Sequence, residues 1–258
     1  MTKQAVVIIG LGEMAGVFAR GLLRIGHPVF PVTRDMDIEE MAKEIPDPHM
    51  VLLAVGENDL HPALETIPNQ WRSCLALLQN ELLPRDWQQH KIENPTVVSV
   101  WFEKKKGQEY KVLIPSPVHG PNANLLTQAL NSLDIPSFHA ATISDIEYEL
   151  VRKNVYILTT NIAGLETGGN VETLWNQHQD VARQVANEVM DIQAWLIGHD
   201  VDREKLMTGF AEGVQGDLEH MCMGRSAPGR LKRALGFADE TGLQVSKLRE
   251  IYQQHVKE

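Results

Sequence analysis

Two cysteines in 258 residues, at no paired spacing, build neither a disulfide framework nor a zinc site. Cys74 and Cys222 read instead as reduced thiols of a cytoplasmic protein. No apolar run approaches the roughly 18–20 residues needed to cross a bilayer, so no membrane partner is expected. Basic residues are in short supply, with 24 Lys and Arg against 34 Asp and Glu for a formal charge of −10. That balance argues against nucleic acid, because a binder needs a basic face to neutralise phosphate. It leaves room for a small anionic substrate, since a few arginines and helix N-termini make an acidic protein locally positive. A basic leader with a small-residue cleavage site is also missing. Ala5–Ile9 reads directly as a strand, so no signal peptide is expected.

What is present is an alternation of short apolar runs with helical patterns. Ala5–Ile9, Val29–Val32, Met50–Val55, Cys74–Leu78, Val97–Trp101 and Val112–Ile114 read as strands of β-branched and aliphatic residues. Helices are predicted at about 14–25, 38–44 and 58–66. Near-continuous apolar strands separated by helices imply a parallel sheet covered on both faces. The pattern changes near residue 142, where Thr142, Ser144 or Asp145 is placed to cap a long helix over Ile146 to Leu165. A second long helix is predicted from Val171 to Ile197, and Gly224 to Gly229 reads as a loop before the final helices. The expected architecture is α/β: a Rossmann-type doubly wound sheet over 1–142, then an all-helical substrate or dimerisation domain over 143–258.

The segment Gly10-Leu11-Gly12-Glu13-Met14-Ala15 follows the first strand and opens the first helix. In that setting G-x-G-x-x-A has a mechanical meaning. Gly10 allows the tight turn, Gly12 lets a pyrophosphate approach the backbone, and Ala15 is small enough for close packing on the sheet. The free N–H groups over Gly12, Glu13 and Met14 and the helix dipole hold the anion. The second strand ends in Thr33-Arg34 where an NAD-preferring site usually has Asp or Glu. A guanidinium there pairs with a 2′-phosphate, and the threonine hydroxyl donates to it. The expected cofactor is therefore NADP(H). Asp35 and Asp37 just beyond leave NAD(H) open.

Three stretches together resemble the ketopantoate reductase branch of the 6-phosphogluconate dehydrogenase-like superfamily. They are the N-terminal turn with Arg34, the segment Leu78-Gln79-Asn80, and Asp145-Ile146-x-x-x-Leu150-x-x-Lys153. Asn161-Ile-Ala-Gly-Leu165 is similar to the continuation of that family's first long helix. The resemblance implies reduction of a 2-keto acid, with Lys153 as general acid, Asn80 as a polar contact near the nicotinamide, and Asn161 orienting substrate or lysine. Such chemistry is sound, because a positioned ammonium stabilises and then protonates the oxygen as hydride reaches carbon. The cleft between the two domains is the expected place for substrate.

The sequence departs from the family in three places. Glu81 replaces the glycine of L-Q-N-G, Ile157 stands where the family has asparagine, and Gly224-Arg225-Ser226-Ala227-Pro228 places proline where the family's substrate-binding glutamate belongs. A non-catalytic NADP(H)-binding sensor is the alternative reading, since an intact glycine turn accompanies an altered substrate site. Arg225 or Arg230 is available for a substrate carboxylate. Ser116 to Asn122 reads as a proline-rich loop containing His119, and Lys104-Lys105-Lys106 as a solvated hairpin end. Asp217, Glu219 and His220 read as a solvated helix face, so no metal site is expected. Leu231, Leu235, Phe237, Leu243, Leu248 and Ile251 form an apolar stripe for a core, or for a second subunit in a homodimer.

Overall fold

The structure is a computed structural model that describes residues 3–256. The outer ends of the two expected domains, residues 1–2 and 257–258, lie outside the described residues. The chain divides into two compact units, one running through Leu150 and the other starting at Val151.

The first unit is built on four short segments, apolar but for Thr96, that are withdrawn from water. β1 (Val6–Ile9), β3 (Met50–Leu53), β4 (Leu75–Leu77) and β5 (Thr96–Val98) are buried along their whole lengths. With β2 (Val29–Val32), β8 (Ser116–His119) and β9 (Ser137–His139) they form a seven-stranded sheet of order β2-β1-β3-β4-β5-β8-β9. The first five strands are parallel, whereas β8 runs antiparallel to β5 and parallel to β9. β6 (Phe102–Glu103) and β7 (Lys111–Val112) form a separate small hairpin.

The expected doubly wound parallel sheet is present, with the β5–β8 pairing its one antiparallel step among the described residues. The last anticipated strand, Val112–Ile114, lies largely in the hairpin and the loop after it. The chain returns to the sheet at Ser116–His119, the segment read as a loop because of its prolines. Pro117 is tolerated there because its carbonyl does the pairing, accepting from Ser99 N–H at 3.0 Å. His119 closes this strand with its ring bonded to Ala140 O at 2.8 Å, a structural role.

One face of the sheet carries α1 (Glu13–Arg24) and α5 (Ala123–Asn131). Ala15, Phe18 and Leu22 fall on one stripe of α1 and pack with Val6, Ile8, Met50 and Leu52. Burying Phe18 and Leu22 contributes about 1.5–3 kcal/mol each. Gly21 lets the two helices touch, since a Cβ there would stand 2.5 Å from Ala129 O. The other face buries Val7, Val51 and Leu53, and Leu64, Trp71 and Trp87 are buried with them, so both sides are covered. α2 (Ile38–Glu44) starts at Asp37, whose carboxylate accepts from Glu39 and Glu40 N–H. α3 (Leu60–Thr66) is tied to the turn after α4 (Pro84–Gln88) by His61 Nδ1 and His90 Nε2, 3.0 Å apart.

α6 (Ile143–Thr167) crosses the boundary between the units. Thr142 and Asp145 cap it reciprocally, each side chain accepting the other's backbone N–H at 3.1 and 2.9 Å. The second unit continues with α7 (Val171–Gln177), α8 (Gln179–Ile197), α9 (Arg203–Gly216), α10 (Ala227–Thr241) and α11 (Ser246–His255). The single helix expected over Val171 to Ile197 is therefore two, because His178 leaves helical geometry at φ −128°, ψ 33°. The expected loop over Gly224 to Gly229 is shorter, with Pro228 seated in the first turn of α10, where its missing N–H costs nothing. Asp217 to His220 form a turn after α9 instead of a helix face. Asp217 is buried and accepts Glu219 N–H at 3.1 Å, while the His220 ring lies edge-on to Tyr156. Leu231, Leu235, Leu248 and Ile251 are buried in this unit and account for most of the C-terminal apolar stripe.

Candidate functional site

The glycine turn grows out of the C-terminal end of β1. Parallel pairing on both sides puts Ile9 level with Val32 of β2 and Leu53 of β3. The turn therefore opens where the chain's course reverses from one side of β1 to the other, the crevice where open α/β sheets take ligands. Gly10 has φ +90°, and a Cβ on it would stand 2.9 Å from Ala54 O. Only glycine satisfies both constraints. Gly12 is the N-cap of α1, and a Cβ built on it meets nothing within 4 Å. The backbone there faces open space, as an approaching diphosphate requires. Met14 packs partly against the core and Ala15 is buried in it, so the first turn of α1 is fixed by its apolar side.

β1–β2 pairing brings Thr33 and Arg34 beside this turn. Gly10 N–H donates to Val32 O at 3.0 Å, the residue before Thr33. Arg34 has 89% of its side chain exposed and pairs with Asp59 at 2.9 Å. That partner, just before α3, was not visible in the sequence.

Asn80 lies in the turn after β4. Its neighbour Gln79 is buried and donates to Leu53 O at 2.6 Å, fixing the end of β4 to the end of β3. Glu81, at the position of the glycine in the resembled segment, has φ +63°, the left-handed region that glycine enters most easily.

Lys104 departs from its sequence reading. It is not a solvated hairpin end: its side chain is 17% exposed, and its Nζ stands 3.3 Å from Glu13 Oε2 in the first turn of α1. The same ammonium donates to the carbonyls of Lys105 and Gln108.

In the second unit the polar side chains of α6 are buried on several sides. Arg152 reaches Glu212 at 2.7 Å and Gly209 O at 3.3 Å on α9, and Asn154 donates to Gln193 on α8 at 3.0 Å. Asn161 accepts from Arg230 Nη1 on α10 at 2.9 Å. Lys153, Asn161 and Arg230 are each only 7% exposed. Buried polar groups of this kind need partners, so α6 is pinned to three neighbouring helices. Lys153 is thus not the ordinary surface lysine its spacing alone permits. Of the two arginines offered for a carboxylate, Arg230 is buried beside Asn161 and Arg225 is exposed. Ile157, in the position of the family's asparagine, is half-buried on the same helix.

This arrangement of sheet and helices recurs in solved structures. A ketopantoate reductase from Ralstonia eutropha JMP134 shares 13% identity with the chain, over 96% of each, at a TM-score of 0.70. The fold is that of the ketopantoate reductases. A probable 2-dehydropantoate 2-reductase from Bacillus subtilis matches at 16% identity and a TM-score of 0.66, over 96% of this chain and 98% of its own. The ketopantoate reductase fold here also matches D-mandelate dehydrogenase in complex with NADH and anilino(oxo)acetate, at 14% identity, 96% of each chain and a TM-score of 0.64. No protein-family profile and no curated protein sequence matches the chain. Among the described residues there is no cluster of three potential metal ligands and no helix long and apolar enough to cross a membrane.

Proposed function

We propose that the chain is a nicotinamide-dependent oxidoreductase that reduces a small 2-keto acid, with NADP(H) as its preferred cofactor. The observation that carries the reading is the turn at Gly10–Gly12, which is closed to a side chain at Gly10 and open to a ligand at Gly12. That one enzyme of this fold, D-mandelate dehydrogenase, is described in complex with NADH supports dinucleotide binding. Arg34 beside the turn supports NADP(H), as the receptor for a 2′-phosphate.

In this reading the first unit is the dinucleotide-binding domain and the second carries substrate chemistry. The cofactor, when bound, supplies a hydride. Gly12, Glu13, Met14 and Ala15 present the backbone that holds its diphosphate, Thr33 and Arg34 hold the adenosine end, and Asn80 contacts the nicotinamide end. Lys153 donates the proton that the substrate's carbonyl oxygen takes up as it becomes an alkoxide. Asn161, fixed by Arg230, orients substrate, and the Arg230 guanidinium supports recognition of a carboxylate. Free thiols at Cys74 and Cys222 support a cytoplasmic setting.

Titration of the protein with NADPH and NADH, followed by fluorescence, tests the first half of the proposal. Binding of neither would sink it. A screen of 2-keto acids with Lys153→Met tests the second half. Turnover should fall by about 100-fold or more, the usual contribution of a general acid, while cofactor affinity holds. The half-buried Ile157 favours a second reading, a non-catalytic NADP(H) sensor, under which the wild-type protein binds cofactor and turns over none of the acids.

A further inference from the structure

The β6–β7 hairpin lies outside the seven-stranded sheet, yet it sends one side chain back to the glycine turn. Of three consecutive lysines, Lys105 pairs with Glu103 on its own hairpin at 3.1 Å, whereas Lys104 reaches Glu13 at 3.3 Å. Two carbonyls of the hairpin's own loop, Lys105 O and Gln108 O, accept from the Lys104 ammonium and set its direction. Glu13 is the first residue of α1, beside the backbone N–H groups the proposed function assigns to a diphosphate. A carboxylate in a first helical turn is favoured by the same partial positive charge that favours a phosphate there. One cation and one helix end therefore converge on a small acidic group that belongs to the chain itself.

We infer that Lys104 is a further cofactor-binding residue, which pairs with the dinucleotide's diphosphate, and that Glu13 holds its place until the cofactor arrives. This rests on the dinucleotide reading above. The physical case is one of charge. A diphosphate carries two negative charges into a turn that already holds Glu13, and without a cation the repulsion between them works against binding. An ammonium already oriented by two carbonyls and largely withdrawn from water pairs with phosphate at little further cost in side-chain freedom. No covalent step is involved; the ammonium exchanges one anionic partner for another. The inference is separate from the role of Arg34, because a diphosphate is common to NADPH and NADH while the 2′-phosphate is not.

The experiment measures dissociation constants for NADPH, NADH and ADP-ribose with wild-type protein, Lys104→Met, Lys104→Arg and Glu13→Gln, at two salt concentrations. Lys104→Met should weaken all three ligands by a similar factor, about tenfold for one lost charge-assisted contact. It should also flatten the salt dependence. Lys104→Arg should keep most of the affinity, and Glu13→Gln should tighten all three ligands by removing the competing carboxylate. Unchanged constants in Lys104→Met overturn the inference, and so does a loss confined to NADPH, which would move the ammonium to the 2′-phosphate. Weaker binding by Glu13→Gln overturns the placeholder role. Failure of the wild type to bind any of the three defeats the dinucleotide reading itself, a result reached before any variant is made.

Discussion

At the scale of single residues, the polar groups around the glycine turn are held by other parts of their own unit. Arg34 is bound to Asp59 as Lys104 is bound to Glu13, so under the proposed function a 2′-phosphate would compete with a carboxylate. Two opposite outcomes follow for cofactor preference. Arg34→Met should weaken NADPH by about tenfold relative to NADH, whereas Asp59→Asn should tighten NADPH several-fold and leave NADH nearly unchanged. Parallel titrations of the two variants check both. Gly10, Gly12 and Arg34 were legible in the sequence because a motif and a strand end announced them. Asp59 and Lys104 were not, since their partners lie 25 and 91 residues away in the chain. An ion pair between distant residues leaves no local pattern, and three consecutive lysines look solvated until the backbone around them is known.

At the scale of elements, the two helices on one face of the first sheet meet through a missing side chain. Replacing Gly21 with valine drives a branched group into the backbone of Ala129, where no side-chain rearrangement gives relief. A loss of about 1–3 kcal/mol is expected, read as a fall of several degrees in the thermal midpoint. Gly16→Val on the same helix meets nothing within 4 Å and should leave the midpoint unchanged or slightly higher, since valine outranks glycine in helix propensity. The early strands and α1 were legible from apolar runs and helical spacing. β8 was hidden because two prolines outweighed its buried Val118, and the tolerance of Pro117 depends on its partner Ser99. The break at His178 was hidden for the opposite reason: neither glycine nor proline marks it. The long helix carrying Lys153 and Asn161 was legible at its start from the Thr142–Asp145 cap. The burial of its polar stretch was not, because Arg152, Lys153 and Asn154 in sequence suggest an exposed surface.

For the whole molecule, acidity and histidine placement determine how stability varies with pH. Burial, and then the neighbouring His61, hold His90 below the ordinary histidine range. Burial, and then His27, do the same to His49. Arg72 adds to the lowering at His90 and Lys3 to that at His49, while Glu65 and Asp86 oppose it at His90 without reversing it. A base whose folded pKa is depressed binds fewer protons in the native state, so its contribution is present above the unfolded value near 6.5 and is lost as pH falls toward the folded value. The urea midpoint should therefore drop between pH 7.5 and 5.5, and His90→Gln should flatten part of that slope while His49 retains the rest. Asp86 works in the opposite sense, because burial raises its carboxyl, but only in the more acid range where carboxylates titrate.

The strand order β2-β1-β3-β4-β5-β8-β9 also bears on how the chain is made. After β1 and β2 have paired, every later strand of this sheet joins beside the most recent arrival or beside β1 itself. A chain leaving the ribosome at roughly 5–20 residues per second can therefore lengthen its sheet in the direction of synthesis, without waiting for a distant strand to be inserted. The edge left exposed at each pause is the newest one. The oldest edge belongs to β2, where Pro31 lacks one of the donors that a stray strand would need to pair with it.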